Sequence, residues 1–168
     1  MLGYYENFPR LIHRTTCFAS PVSIKRLQEV LTDTLRKLND QTLNFEAITD
    51  SLVSQYIVKL EFGVAETDSF NYLDSEEANR LLETIRKNPL QTLDFLCAVR
   101  YYRVQKEKKE PLRFDYYMLR FTFSENSVEI SIFHERGPRH VSPEDIISLI
   151  AKKVNETSTK KILKEPSS

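Results

Sequence analysis

The run from Phe114 to Phe133 leaves this chain the least freedom. Tyr117, Leu119, Phe121 and Phe123 recur at every second position, Ser124-Glu125-Asn126-Ser127 interrupts, and Val128, Ile130 and Ile132 resume the alternation. A period of two marks a strand with one buried face, and so short a polar link returns the second strand antiparallel to the first. Gln55 to Ala65 repeats the pattern through Tyr56, Val58, Leu60, Phe62 and Val64, and Leu93 to Val104 through Phe95, Cys97, Val99 and Tyr101. Gln105 to Pro111 reads as a charged loop between the last strand and the hairpin. Leu11 to Phe18 alternates well enough for a first strand. Thr42 to Ser54 is compatible with a strand, a loop or a partial helical turn, and we read it as a strand.

Three helices are expected from their start signals. Ser20-Pro21 and Ser142-Pro143 each place a hydroxyl at an N-cap and a proline where the missing N–H costs nothing. Ser75-Glu76-Glu77 puts a cap and two carboxylates at the positive end of another helix dipole. Ile24, Leu27, Leu31, Leu35 and Leu38 form the apolar stripe of the first helix. Ala78, Leu81, Leu82 and Ile85 serve the second, which Pro89 ends, and Ile146, Ile147, Ile150 and Val154 serve the third.

The order is therefore β-α-β-β-α-β-β-β-α. It predicts an α+β fold, a mainly antiparallel sheet of about five or six strands with three helices on one face. Residues 1–154 make a single domain, long enough at 168 residues in all to bury roughly 70% of its unfolded surface without a disulfide or metal. Asn155 to Ser168, rich in Lys, Ser and Thr, falls outside the last amphipathic pattern and reads as a flexible tail.

Charge and cysteine content narrow the function classes. Twenty-four Lys and Arg balance twenty-four Asp and Glu, so no whole-molecule field favours a polyanion or an anionic membrane. The first residues lack the apolar core of a signal peptide, and no stretch reaches the ~18 apolar residues of a membrane span. Cys17 and Cys97 have no CxxC partner and read as two reduced, buried thiols, which suits a cytoplasmic address. Asn155-Glu156-Thr157 matches a glycosylation acceptor, a pattern without meaning in a chain that is not exported.

No catalytic signature is present. The glycines Gly3, Gly63 and Gly137 are too scattered for a phosphate-binding loop, no GxSxG occurs, and neither cysteine sits in a strand-to-helix elbow. The polar segment His134-Glu135-Arg136-Gly137-Pro138-Arg139-His140 is the densest site candidate. His134 and Arg136 continue the parity of Ile130 and Ile132, so a persisting strand would set both on one face beside a helix start. With Arg139 and His140 they could hold a small acidic ligand through imidazole, guanidinium and backbone N–H groups. The ordinary alternative is a solvated strand end followed by a Gly-Pro turn. Glu135 points opposite to His134 and so cannot orient it as a base. Zinc would need a further donor from His13, Cys17 or Cys97, and neither a metal nor another cofactor is expected.

Two readings remain for the aromatic strands. Arg100, Arg103, Lys106, Lys108, Lys109 and Arg113 interleave with Tyr101, Tyr102, Phe114, Tyr116 and Tyr117, the mixture a single-stranded nucleic acid would use, although Glu107, Glu110 and Asp115 dilute the charge. Alternatively Phe114, Tyr116, Met118, Tyr101 and Tyr102 form an interface. The strand after Phe114 is apolar on both parities, and helices on one side leave its reverse to be covered by another segment or a second protein. An acidic counterpart spans Glu61, Glu66, Asp68, Asp74, Glu76 and Glu77, and the two regions could steer self-association. A protein-association domain without catalysis, most simply a homodimer, is the leading expectation. The acidic-ligand site and nucleic-acid binding follow it.

Overall fold

All pairings between the named strands are antiparallel. The computed structural model describes residues 3–165 apart from 6, 11, 40, 45–55 and 104–110. In chain order the elements are β1 (Gly3–Tyr4), β2 (Arg14–Ala19), α1 (Ile24–Leu38), β3 (Thr42–Asn44), β4 (Tyr56–Ala65), β5 (Ser69–Tyr72), α2 (Ser75–Lys87), β6 (Thr92–Arg103), β7 (Pro111–Ser124), β8 (Ser127–Arg136) and α3 (Pro143–Asn155). They form one eight-stranded sheet in the order β1-β5-β4-β6-β7-β8-β2, with β3 added on β4. The α+β layout with a curled antiparallel sheet is as the alternation predicts. None of the helices among the described residues is long and apolar enough to cross a membrane.

Several boundaries differ from the sequence reading. The first helix is capped by Ser23, whose hydroxyl accepts from Arg26 N–H at 3.1 Å. Ser20-Pro21 lies before it because Ser20 N–H still bonds Asn126 of the hairpin turn, which prolongs the sheet past Ala19. Asp74, not Ser75, caps α2 by accepting from Glu77 N–H at 2.9 Å. Ser142 caps α3 with Pro143 at its start, as expected. Two strands escape the pattern: β1 has two residues and β5 four, too few for alternation to register. Of the uncertain run from Thr42, β3 takes only Thr42–Asn44, and 45–55 lie outside the described residues.

One face of the sheet carries the core. Val58, Leu60 and Phe62 of β4, Phe95 and Cys97 of β6, Tyr117 and Leu119 of β7, and Ile130 and Ile132 of β8 are each fully buried beneath the helices. A polar group goes under with its partners: the Gln28 amide accepts from Leu90 N–H at 3.0 Å and donates to Leu90 C=O at 2.5 Å, tying α1 to the approach of β6. Cys97 is buried, and burial pushes its thiol up to well above the ordinary range. Cys17 is exposed, contrary to expectation, because Phe18 takes the core-facing position of β2 and its neighbour must face outward.

The reverse of the sheet is covered in part by the chain itself. Tyr5 and Phe8 pack on Phe70, Leu96 and Met118. The Arg120 guanidinium grips Asp94 through two 2.8 Å bonds, lies 4.8 Å from the Phe8 ring, and Tyr5 Oη donates to the same carboxylate.

Of the residues past α3, expected as a flexible tail, Ile162, Leu163 and Lys164 dock on the domain. Ile162 and Leu163 are 5% and 4% exposed. The Asn155 amide accepts from Ile162 and Leu163 N–H at 2.9 and 2.8 Å and donates to Leu163 C=O at 3.0 Å. Two apolar residues among lysines give no period to detect. Asn155→Ala removes all three bonds and should weaken this docking by about 1–3 kcal/mol. Trypsin should then cut at Lys160 or Lys161 several-fold faster than in the parent chain, and an equal rate would show that the amide does not hold the segment.

Candidate functional site

Asp115 sits where the alternation of β7 places apolar side chains. It shares the parity of Tyr117, Leu119 and Phe121, and therefore points to the helix side of the sheet, where it is completely buried. A buried carboxylate is costly unless its oxygens are bonded, and here each takes two donors. Oδ1 accepts from Arg139 N–H at 2.7 Å and meets His134 Nε2 at 2.8 Å. Oδ2 accepts from Tyr101 Oη at 2.5 Å and from His140 N–H at 3.1 Å.

The loop after β8 is shaped to deliver those two N–H groups. Gly137 (φ 115°) and Arg139 (φ 60°) both adopt the left-handed conformation, and the loop bent at these two residues aims the successive Arg139 and His140 N–H groups inward as a small anion-binding nest. Gly137 is needed for space as well, since a Cβ there would overlap Phe114 C=O and the Asp115 carboxylate. Tyr117 Oη donates to Val141 C=O and closes the loop onto the sheet just before α3. Burial and the neighbouring Asp115 carboxylate hold the Tyr101 hydroxyl far above its usual range, and burial first and Asp115 second do the same for Tyr117.

The chain's three histidines gather here. His134 bonds Asp115, the His140 ring meets Tyr101 edge-on at 5.2 Å, and His13 Nδ1 accepts from His134 N–H at 2.8 Å while stacking on Phe133 at 4.9 Å. Desolvation, then Arg139 and His134, hold His13 below its ordinary pKa, in keeping with a ring nitrogen that must stay unprotonated to accept.

Of the expected acidic-ligand residues, the structure brings His134, Arg139 and His140 to one point, but the anion they surround is the chain's own Asp115. Arg139 and His140 contribute backbone N–H groups to it. Arg136 goes elsewhere. The β7–β8 register shifts between Tyr116 and Tyr117, so that Tyr117 pairs His134 while Tyr116 pairs Arg136. That bulge at Glu135 reverses the parity, and the Arg136 guanidinium lands on the outer face, 4.2 Å from the Tyr116 ring. Asp115, absent from the expected site, had one legible signal: an acid in a core-facing row.

The aromatic strands divide between the faces. Tyr101 is 1% exposed in the core, and Met118 and Tyr102 are 8% exposed, so none of the three offers a free surface in the chain. Phe114 and Tyr116 lie half-buried on the outer face with their rings stacked at 6.3 Å and 20°. Arg100 stands 5.6 Å from the Phe114 ring and pairs with Glu61 at 2.9 Å. Lys106, Lys108 and Lys109 lie outside the described residues, and of Arg103 and Arg113 the structure describes the backbone, in β6 and β7. The acidic run is engaged locally: Arg80 reaches Glu66, Glu76 and Glu77 within 3.8, 3.6 and 3.2 Å. No group of three His, Cys, Asp or Glu among the described residues is arranged to hold a metal ion. No protein-family model, curated protein or solved structure matches the chain.

Proposed function

We propose that the chain works by protein association, docking a second copy of itself through the outer face of the sheet around Tyr116. The observation that supports this is the ladder in which Arg136 lies over Tyr116, Tyr116 stacks on Phe114 and Arg100 lies over Phe114. Tyr, Phe and Arg are the side chains enriched at interface hot spots, because they bury large area while a hydroxyl or guanidinium keeps polar reach. The ladder is contiguous through Tyr116 and Phe133 with the apolar cluster under Tyr5 and Phe8. It also carries both signs, with Glu61 beside Arg100 and the exposed Glu135 next to Arg136. A patch that must meet its own copy across a two-fold axis has to be self-complementary in this way.

The acidic-ligand reading loses the His134 ring and the 139–140 N–H groups to Asp115 and the Arg136 guanidinium to the outer face, so the association reading is preferred. Tyr116→Glu sets a carboxylate into the stacked ladder and should lower the self-association constant at least tenfold, roughly the 1.4 kcal/mol or more carried by an interface hot spot. Light scattering across a dilution series measures it. A parent chain that stays at 19.7 kDa at high concentration would remove the proposal. Filter binding with single-stranded RNA over a salt series tests the nucleic-acid alternative, for which a steep loss with salt is the signature.

A further inference from the structure

The N-terminal arm joins opposite edges of the sheet. Its β1 pairs with β5 at one edge, and the next strand in the chain, β2, pairs with β8 at the other. Contacts place the link on the reverse face, away from the helices. Tyr5 meets Phe70 of β5 edge-on at 4.9 Å and donates through Oη to Asp94 of β6. Phe8 lies 4.8 Å from the Arg120 guanidinium of β7, and His13 stacks on Phe133 of β8 at 4.9 Å. Asp94, Arg120 and Phe133 each have the parity opposite to the core-facing Phe95, Leu119 and Ile132. The arm is held at points and not along its length. Gly3 and Tyr4 pair with Phe70 and Ser69, and Tyr5 N–H donates to Asp68 C=O at 2.9 Å. The next backbone bond to the sheet among the described residues is His13 N–H to Ile132 C=O at 3.0 Å. Tyr5 and Phe8 are themselves part-exposed. Few backbone bonds and part-exposed anchors put a segment at the low-stability end of a fold, where local opening occurs.

We propose that residues 3–8 are a displaceable strap that competes with a second copy for the reverse of the sheet and so holds self-association down, an inference that rests on the association proposed through Tyr116. What the strap covers is unsuited to water: Phe70, Leu96 and Met118 are buried under it, and their cluster runs on to Tyr116 and Phe133. Two sheets pack face to face about 10 Å apart, so a segment lying on one sheet fills the layer that the side chains of the other must enter. With the strap seated, a second copy reaches Phe114, Tyr116 and Arg136. With the strap displaced, Leu96 and Met118 join them in one apolar patch. Association then draws on the open form of each chain, and its apparent strength is lowered by the fraction that is open. Because both copies must open, a tenfold gain in the open fraction raises the association constant by about a hundredfold.

Tyr5→Ala with Phe8→Ala loosens the strap and leaves the ladder of Phe114, Tyr116 and Arg136 intact. Trypsin should then cut after the exposed Arg10 several-fold faster than in the parent chain at matched high dilution. Light scattering should show a self-association constant at least tenfold higher. Adding Tyr116→Glu should reverse that gain, and a gain that survives it is non-specific sticking of the uncovered cluster and overturns the proposal. A converse measurement does not depend on the loosened chain staying soluble. The Tyr5–Asp68 bond makes Tyr4 and Ser69 a non-hydrogen-bonded pair, whose Cα atoms stand about 4.5 Å apart, within disulfide reach. Tyr4→Cys with Ser69→Cys in a Cys17→Ser background pins the strap when oxidised, and association should be at least tenfold weaker than in the same protein reduced. Equal constants in the two redox states, or a loosened chain that associates less than the parent, would overturn the strap and leave the outer-face proposal to its own test with Tyr116→Glu. If neither the parent nor the loosened chain associates, the outer-face proposal falls and the strap's role falls with it.

Discussion

Asp115→Ala should lower the melting temperature by roughly 6–20 °C, read by far-UV circular dichroism. The substitution removes an acceptor that Tyr101 Oη, His134 Nε2 and the Arg139 and His140 N–H groups share. Breaking a buried charged partnership from one side costs about 3–5 kcal/mol, since the groups left behind are desolvated and unpaired. In a chain of this size each kcal/mol moves the midpoint by about 2–4 °C. Asp115→Asn should recover little, because its amide sets an NH2 group against two of the four donors whichever way it turns. A fall of less than 2 °C in the alanine variant would mean that the carboxylate does not hold the loop to the sheet.

Gly137→Ala should be nearly as damaging although it adds one methyl group. The added Cβ would overlap Phe114 C=O and the Asp115 carboxylate, and would come within 2.8 Å of Asp115 Cα, at a residue with φ 115°. Left-handed strain at a residue that carries a side chain costs about 1–3 kcal/mol, and an overpacked contact adds about as much. Urea titration should show a clearly lower midpoint with an unchanged slope, the mark of lost stability in an otherwise similar fold. An unchanged midpoint would place the loop elsewhere. Because both variants act on one loop, their effects should fall short of additive in the double variant.

Much of the sheet was legible because its long strands have one wet face and one dry one. Tyr117 to Phe123 and Val128 to Ile132 announce a hairpin by period alone, and Asn126 (φ 66°) supplies the left-handed turn residue. Ser142-Pro143 marks the start of α3 through local chemistry that needs no tertiary partner. Ser20-Pro21 offers the same signal but fails, because sheet pairing through Asn126 wins over capping there. The site was legible only in part. His134, Arg139 and His140 are close in sequence and close in space, yet the parity argument for Arg136 assumed an unbroken strand, and one extra residue in β8 turned it to the opposite face.

The amino-acid order alone determined the antiparallel alternation, the three amphipathic helices and the polar segment after the hairpin, since these depend on side-chain periods and on bonds within a few residues. Tertiary structure decided which anion fills that segment, what covers the back of the sheet, and where the C-terminal residues go. Each of those depends on groups that meet only after folding: Asp115 with the 139–140 amides, Phe8 with Arg120, Lys164 with Ala19. A linear pattern records whether a residue wants burial or a partner, but the partner is chosen by which strands become neighbours.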